Sequence, residues 1–157
     1  MKTKPMNQQT HLVKKISAAD TLSIRQQVLR PNWTIDQCNF EGDQDETTFH
    51  IGAFQDGALI GIATMMRDSS AELTTIDTDQ YRLRGMAVLP EYRDQGVGRS
   101  ILDECIQEVR QRECNLFWCN ARIKAARFYT AAGFSKTSET TFDIPGAGLH
   151  FLMFKQL

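Results

Sequence analysis

Paired and metal-spaced ligands are missing from this sequence. Its four cysteines (Cys38, Cys105, Cys114 and Cys119) form no CxxC pair, and its three histidines (His11, His50 and His150) share no ligand spacing. That argues against a zinc site, and no metal is expected. No apolar run approaches the roughly 18 residues of a membrane span, so no membrane partner is expected. An excess of one charge is also missing. The formal net charge is −1, so no basic field points to nucleic acid. The opening residues, MKTKPMNQQT, carry charge without an apolar segment and do not read as a secretory signal. A flexible stretch over 1–10 and a cytoplasmic setting with reduced thiols are the expectation.

What is present suits one globular domain spanning 1–157, because 157 residues that are 41% hydrophobic can bury a proper core. HLVKKI (11–16) alternates like a first strand. Ser17 or Asp20 can cap a helix carrying Leu22, Ile24, Val28 and Leu29, which Pro31 ends. EGDQDE (41–46) is an acidic loop. TTFHIGAF and ALIGIATMM are β-rich runs joined by a hairpin turn at Gln55-Asp56-Gly57. Residues 68–79 read as a polar loop, and YRLRGMAVL (81–89) as a strand stopped by Pro90. Val97, Ile101, Leu102, Cys105, Ile106 and Val109 make one apolar helical stripe. NLFWCN (115–120) reads as a buried strand, and residues 122–132 as a helix that Gly133 stops. Residues 134–142 and 149–154 read as two last strands joined by DIPGAG. Strands and helices alternate from 81 to 140, which favours a mixed α/β sheet. Trp33 and Trp118 read as packing residues.

The stretch RDQGVGRS (93–100) stands between a strand and a helix. A helix N-terminus offers backbone N–H groups without partners and a partial positive charge, and anions collect there. Gly96 and Gly98 remove side chains that would hold a phosphate away from those amides, and Arg93 and Arg99 can add charge-assisted bonds. The alternative is that the glycines serve only a tight turn. The loop is not a P-loop, since position 93 is Arg rather than Gly and Gly98-Arg99-Ser100 lacks the Lys. Nor is it a dinucleotide fingerprint, since position 101 is Ile.

Arg93-Asp94-Gln95-Gly96-Val97-Gly98 does fit [RQ]-x-x-G-x-[GA]. With the preceding LRGMAVLPEY it resembles the acyl-CoA-binding motif of the GNAT superfamily of N-acetyltransferases. WCNARIKAARFYTAAGF resembles that superfamily's later motif: an Asn at a strand end, a helix bearing Phe-Tyr, then Gly-Phe. The matched segments cover residues 81 to 134, and the chain before residue 80 matches loosely. The resemblance implies a bent, mixed, mostly antiparallel sheet with flanking helices, splayed between its fourth and fifth strands, with coenzyme A in the gap. On that template, backbone groups of Met86, Ala87 and Val88 lie along the pantetheine arm. The amides of Asp94, Gln95, Gly96, Val97, Gly98 and Arg99, with Arg93 and Ser100, surround the pyrophosphate. Asn120 and Phe128 contact the cofactor from the far side. Gly85 marks a strand bulge that helps open the cleft.

The implied reaction moves an acetyl group from acetyl-CoA to a primary amine by direct attack. It needs a base, since alkylamines have pKa values near 10, an oxyanion donor and an acid for the leaving thiolate. The resemblance gives the donor to the Val88 N–H and the acid to Tyr129. Tyr129 can alternatively be a packing residue. The base stays open among Glu72, Asp43, Asp45, His50 and Glu91, and His150, which follows the DIPGAG loop, can line the acceptor site. The acidic loop 41–46 can draw a cationic amine or simply be solvated. The acceptor, a small-molecule or protein amine, is not legible, and a homodimer is left open because dimers are common in the superfamily. Two other readings stand beside acetyl transfer: a coenzyme A-binding module without transfer, and an unrelated α/β nucleotide binder.

Overall fold

Near-continuous buried runs build the central strands of the sheet, and a helical stripe packs on it. The computed structural model describes residues 11–157; residues 1–10, expected to be flexible, lie outside the described part. The strands are β1 (Leu12–Ile16), β2 (Phe49–Gln55), β3 (Ala58–Arg67), β4 (Gln80–Val88), β5 (Leu116–Arg122), β6 (Ser135–Lys136), β7 (Phe142–Ile144) and β8 (Gly148–Gln156). They form one sheet in the order β1-β2-β3-β4-β5-β8-β6, with β7 on β8. Every pairing is antiparallel except β4 with β5. The expected mixed, mostly antiparallel sheet is therefore present.

The helices are α1 (Ala18–Ile24), α2 (Val97–Gln111) and α3 (Ala126–Ala131). Ser17 caps α1 in a capping box with Asp20, so both candidate caps act together. The chain then runs through a π-helical turn, Arg25–Leu29, rather than one continued helix. The six residues of the expected stripe on α2 are all buried. Ile101, wholly buried, packs so closely on β3 that a Cβ at Gly61 would lie 2.7 Å from its Cδ1. Ile101→Ala should cost about 2–5 kcal/mol, read as a lower urea midpoint with an unchanged slope.

Two departures from expectation concern the C-terminal half. The segment 134–142 is not one strand: β6 and β7 are short and separated, and β7 pairs with β8 as a hairpin closed at Ile144 and Gly148. The helix expected over 122–132 begins instead as a 3-10 turn at Ile123–Ala125, because β5 continues through Arg122. Gly133, at φ 93°, does stop α3.

Two features of β4 open the sheet. Ile62 faces Ala87 and Thr64 faces Arg84, so two residues of β4, Gly85 and Met86, stand opposite Ala63. This is a bulge, and Gly85 takes φ 59° within it. Next, β4 pairs with β5 over Gln80–Leu83 alone. Beyond Leu83 the strands part, while β5 stays paired to β8 as far as Arg122. The splay lies between the fourth and fifth strands.

Candidate active site

The gap between β4 and β5 is framed at one end by the glycine loop. Gly96 is the N-cap of α2 at φ 81°, a left-handed conformation that side chains disfavour. The amide of Ser100 bonds to the Gly96 carbonyl at 3.1 Å, so the amides of Val97, Gly98 and Arg99 precede the first helical bond and have no helical acceptor. A Cβ on Gly98 would stand 3.4 Å from Phe128 and 3.7 Å from Met86. The glycine face, Phe128 and Met86 are therefore continuous with one another. These features fit a pyrophosphate resting on bare amides, with a thioester arm running along Met86.

Other expected residues are placed less directly. Val97 is in the core, so its amide alone is available. Arg99 donates to Asp103 at 2.9 Å and to the Ala131 carbonyl at 3.2 Å, which turns its guanidinium toward α3 and leaves its amide to the loop. Arg93, Asp94 and Gln95 are exposed on the loop, and the Ser100 hydroxyl donates to the Gly96 carbonyl. Arg93 donates from Nε to the Val88 carbonyl at 3.3 Å. The Ala87 side chain is buried with Ile24 and Ile62, so this residue meets the gap through its backbone alone. The Leu89 amide donates to Ile60 on β3, so by strand alternation the Val88 N–H points away from β3, into the gap.

A cavity opens where the strands part. Its walls include Met86 from β4, Asn120 from β5, Tyr129 from α3 and His150 from β8. Tyr129 is buried, with its ring edge-on to Phe128 and Phe134, and burial raises its hydroxyl well above the ordinary tyrosine value. The hydroxyl therefore keeps its proton at working pH and is a donor. His150 is 4% exposed. Its Nδ1 lies 2.7 Å from the Gly148 carbonyl, which only accepts, so Nδ1 carries the hydrogen and Nε2 keeps its lone pair. Burial lowers the His150 pKa; Arg122 and Arg30 push the same way, against the Gly148 bond and Asp143.

The base candidates read from the sequence stand elsewhere. His50 is buried between the Thr64 hydroxyl at 2.8 Å and the Asp43 carbonyl at 3.1 Å, a satisfied core histidine. Asp43 is buried in a bidentate pair with Arg25, at 2.7 and 2.9 Å. Burial works to raise its carboxyl, but the Arg25 and Phe40 hydrogen bonds hold it below the ordinary value. Asp45, Glu72 and Glu91 are exposed and do not line the cavity. The acidic loop thus spends its buried carboxylate on the fold.

Sequence reasoning missed the charge of the cavity. Arg25, Arg30, Arg82, Arg84 and Arg122 line it, and no Asp or Glu does. Arg25 pairs with Asp43 and Arg82 with Asp68. Arg30, Arg84 and Arg122 have no carboxylate partner among the described residues. Burial, then Arg82 and Arg25, lower the Arg84 pKa to about 10. Arg30 lies over the Trp33 ring at 5.0 Å, and Trp33 is 38% exposed, so it is a shelf for a cavity arginine rather than a packing residue. Trp118 does pack, its indole N–H donating to the Asp68 carbonyl. A signal was present: Arg84 and Arg122 lie inside LRGMAV and WCNAR, on the strand ends that face the gap.

Among the described residues, no group of His, Cys, Asp and Glu is placed to hold a metal, and no helix is long and apolar enough to cross a membrane. The four thiols are buried and unpaired.

Comparison with known proteins matches this geometry to a family. Residues 14–134 fit the description of the acetyltransferase (GNAT) family. The uncharacterized N-acetyltransferase YitI of Bacillus subtilis (strain 168) is 41% identical over 145 residues, covering 92% of this chain and 95% of YitI. The ribosomal protein bS18-alanine N-acetyltransferase of Escherichia coli (strain K12) is 26% identical over 102 residues, covering 63% of each chain. Among solved structures, an aminoglycoside 6'-N-acetyltransferase complexed with coenzyme A shares the fold at a TM-score of 0.72 and 11% identity, over 92% of this chain and 96% of that one. The reading as an unrelated nucleotide binder is thereby set aside.

Proposed function

Because the chain belongs to the acetyltransferase (GNAT) family, and is an acyltransferase, we propose that it moves the acetyl group of acetyl-CoA to the primary amine of a small molecule that also carries an anionic group. The observation that carries this reading is the cavity at the splay, where Tyr129 and His150 stand among three arginines without carboxylate partners. Arginine is the side chain best suited to carboxylate or phosphate, and a half-buried cluster of like charges gains most from an anion. An α-amino acid or aminophosphonate places its anion a few bonds from its amine. A protein N-terminus or Lys side chain does not.

When bound, acetyl-CoA supplies an activated thioester carbonyl. The amides of Val97, Gly98 and Arg99 hold its pyrophosphate, and the free edge of β4 receives its pantetheine arm. His150 Nε2 takes a proton from the acceptor ammonium, which frees the nitrogen lone pair for attack. The Val88 N–H donates to the carbonyl oxygen as negative charge develops on it. Tyr129 gives its proton to the departing sulfur, and its phenolate then takes the second proton of the acylated nitrogen. Arg30, Arg84 and Arg122 orient the acceptor by its anion.

Tyr129→Phe should lower kcat by about 100-fold with little change in acetyl-CoA affinity, read by steady-state kinetics. Unchanged kcat would move the acid role to water. Calorimetric titration with acetyl-CoA, with ATP and NAD as controls, tests the donor. Selective binding of acetyl-CoA is expected, and a folded sample that does not bind it contradicts the proposal.

A further inference from the structure

One aromatic ring carries two guanidiniums. Arg84 lies over Phe40 at 4.2 Å, and Arg25 lies over the same ring at 3.7 Å. Arg25 is 1% exposed and fixed on three sides: bidentate to Asp43, to the Cys38 carbonyl at 3.0 Å and to Thr64 at 2.8 Å. Asp43 also accepts the Phe40 amide at 2.8 Å, which closes a ring of contacts through Asp43, Arg25 and Phe40. The ring of Phe40 reaches β4 itself, since a Cβ at Gly85 would meet its Cε2 at 2.8 Å.

Arg84 is held differently. Among the described residues it has neither a hydrogen-bond acceptor nor an ion pair, and its contact with Phe40 is what locates its head. Its guanidinium is half-buried and lines the acceptor cavity. Phe40 lines that cavity too, although it comes from a loop between α1 and β2, far in sequence from the β4 bulge.

We infer that Phe40, anchored by the Asp43–Arg25 pair, is a positioning residue that aims the Arg84 guanidinium at the anionic group of the acceptor. The inference rests on the anionic-acceptor reading above. Its physical basis is the preference of a guanidinium for an aromatic face, which holds Arg84 flat while leaving its N–H edge free for a carboxylate or phosphate. The acidic loop therefore acts on specificity from behind: Asp43 fixes the ring that places a positive charge in the cavity.

The probe is malonate, with inorganic phosphate as a second arm, titrated calorimetrically into the protein saturated with acetyl-CoA. Phe40→Leu keeps apolar volume but removes the π-face. It should weaken malonate binding about 5-fold or more, leave acetyl-CoA affinity unchanged and be rescued by Phe40→Tyr. Arg84→Gln should weaken malonate at least as much. Adding Phe40→Leu to Arg84→Gln should cost nothing further, because the two act as one unit. Wild-type malonate affinity in Phe40→Leu, or strict additivity in the double variant, overturns the positioning role while the acceptor reading stands. Failure of the wild-type protein to bind either anion overturns the acceptor reading and this inference with it. Tighter phosphate than malonate binding, lost in the same variants, supports the role and identifies the phosphate class.

Discussion

His150→Ala should lower turnover by about 100- to 10,000-fold, the usual worth of a positioned base, while acetyl-CoA binding is retained. The imidazole is buried in the cavity wall, its tautomer is set by the Gly148 carbonyl, and Nε2 is left as the acceptor. The pH dependence follows from its surroundings. Burial, Arg122 and Arg30 all disfavour the imidazolium, so His150 gives up its proton below the ordinary histidine value. A base must be unprotonated to act, so kcat/KM should rise with pH along a limb whose midpoint lies below about 6.5. That limb should vanish in His150→Ala. A limb above the ordinary value, or activity that survives the substitution, assigns the proton to another group.

Gly98→Val should raise the KM for acetyl-CoA steeply. A single added methyl at Gly98 would meet Phe128 and Met86 at 3.4 to 3.7 Å, ordinary contact distances, so Gly98→Ala should fold and bind somewhat less well. Valine adds two branches where the cofactor must pass between those side chains and the free amides at the start of α2. Each charge-assisted bond to phosphate is worth about 1.5–3 kcal/mol, so losing even one should raise KM roughly 10- to 100-fold. Saturating acetyl-CoA should recover much of kcat. A folded Gly98→Val variant with wild-type affinity would return the two glycines to the role of a tight turn.

How far the sequence foretold this site depends on how local each part is. The glycine loop, the stripe on α2, Asn120 and the Phe128-Tyr129 pair sit within single elements, where period and spacing are legible. The bulge at Gly85 was legible because a glycine inside a strand has few other uses. The acceptor cavity was not, since Arg30, Arg84, Arg122 and His150 come from four separate segments, and their meeting is a property of the sheet order. The acidic loop misled because a run of carboxylates reads as solvated charge, whereas one member, Asp43, is buried by a partner 18 residues away. The break between β6 and β7 was missed for a similar reason: β8 alone decides which residues of 134–142 find a ladder.

Acetyl transfer from acetyl-CoA to an amine that bears an anion is open to one decisive measurement, free-thiol release on matched acceptors. Each α-amino acid and aminophosphonate is compared with its own uncharged amide or ester, alongside polyamines and a Lys-containing peptide. Coenzyme A release is expected with one or more anionic amines, at least about 10-fold slower with the uncharged counterpart and absent with the polyamines. Release driven by polyamines, by the peptide or equally by the uncharged counterparts would contradict the anionic acceptor. No release with any amine, from a protein that binds acetyl-CoA, would contradict the transfer itself.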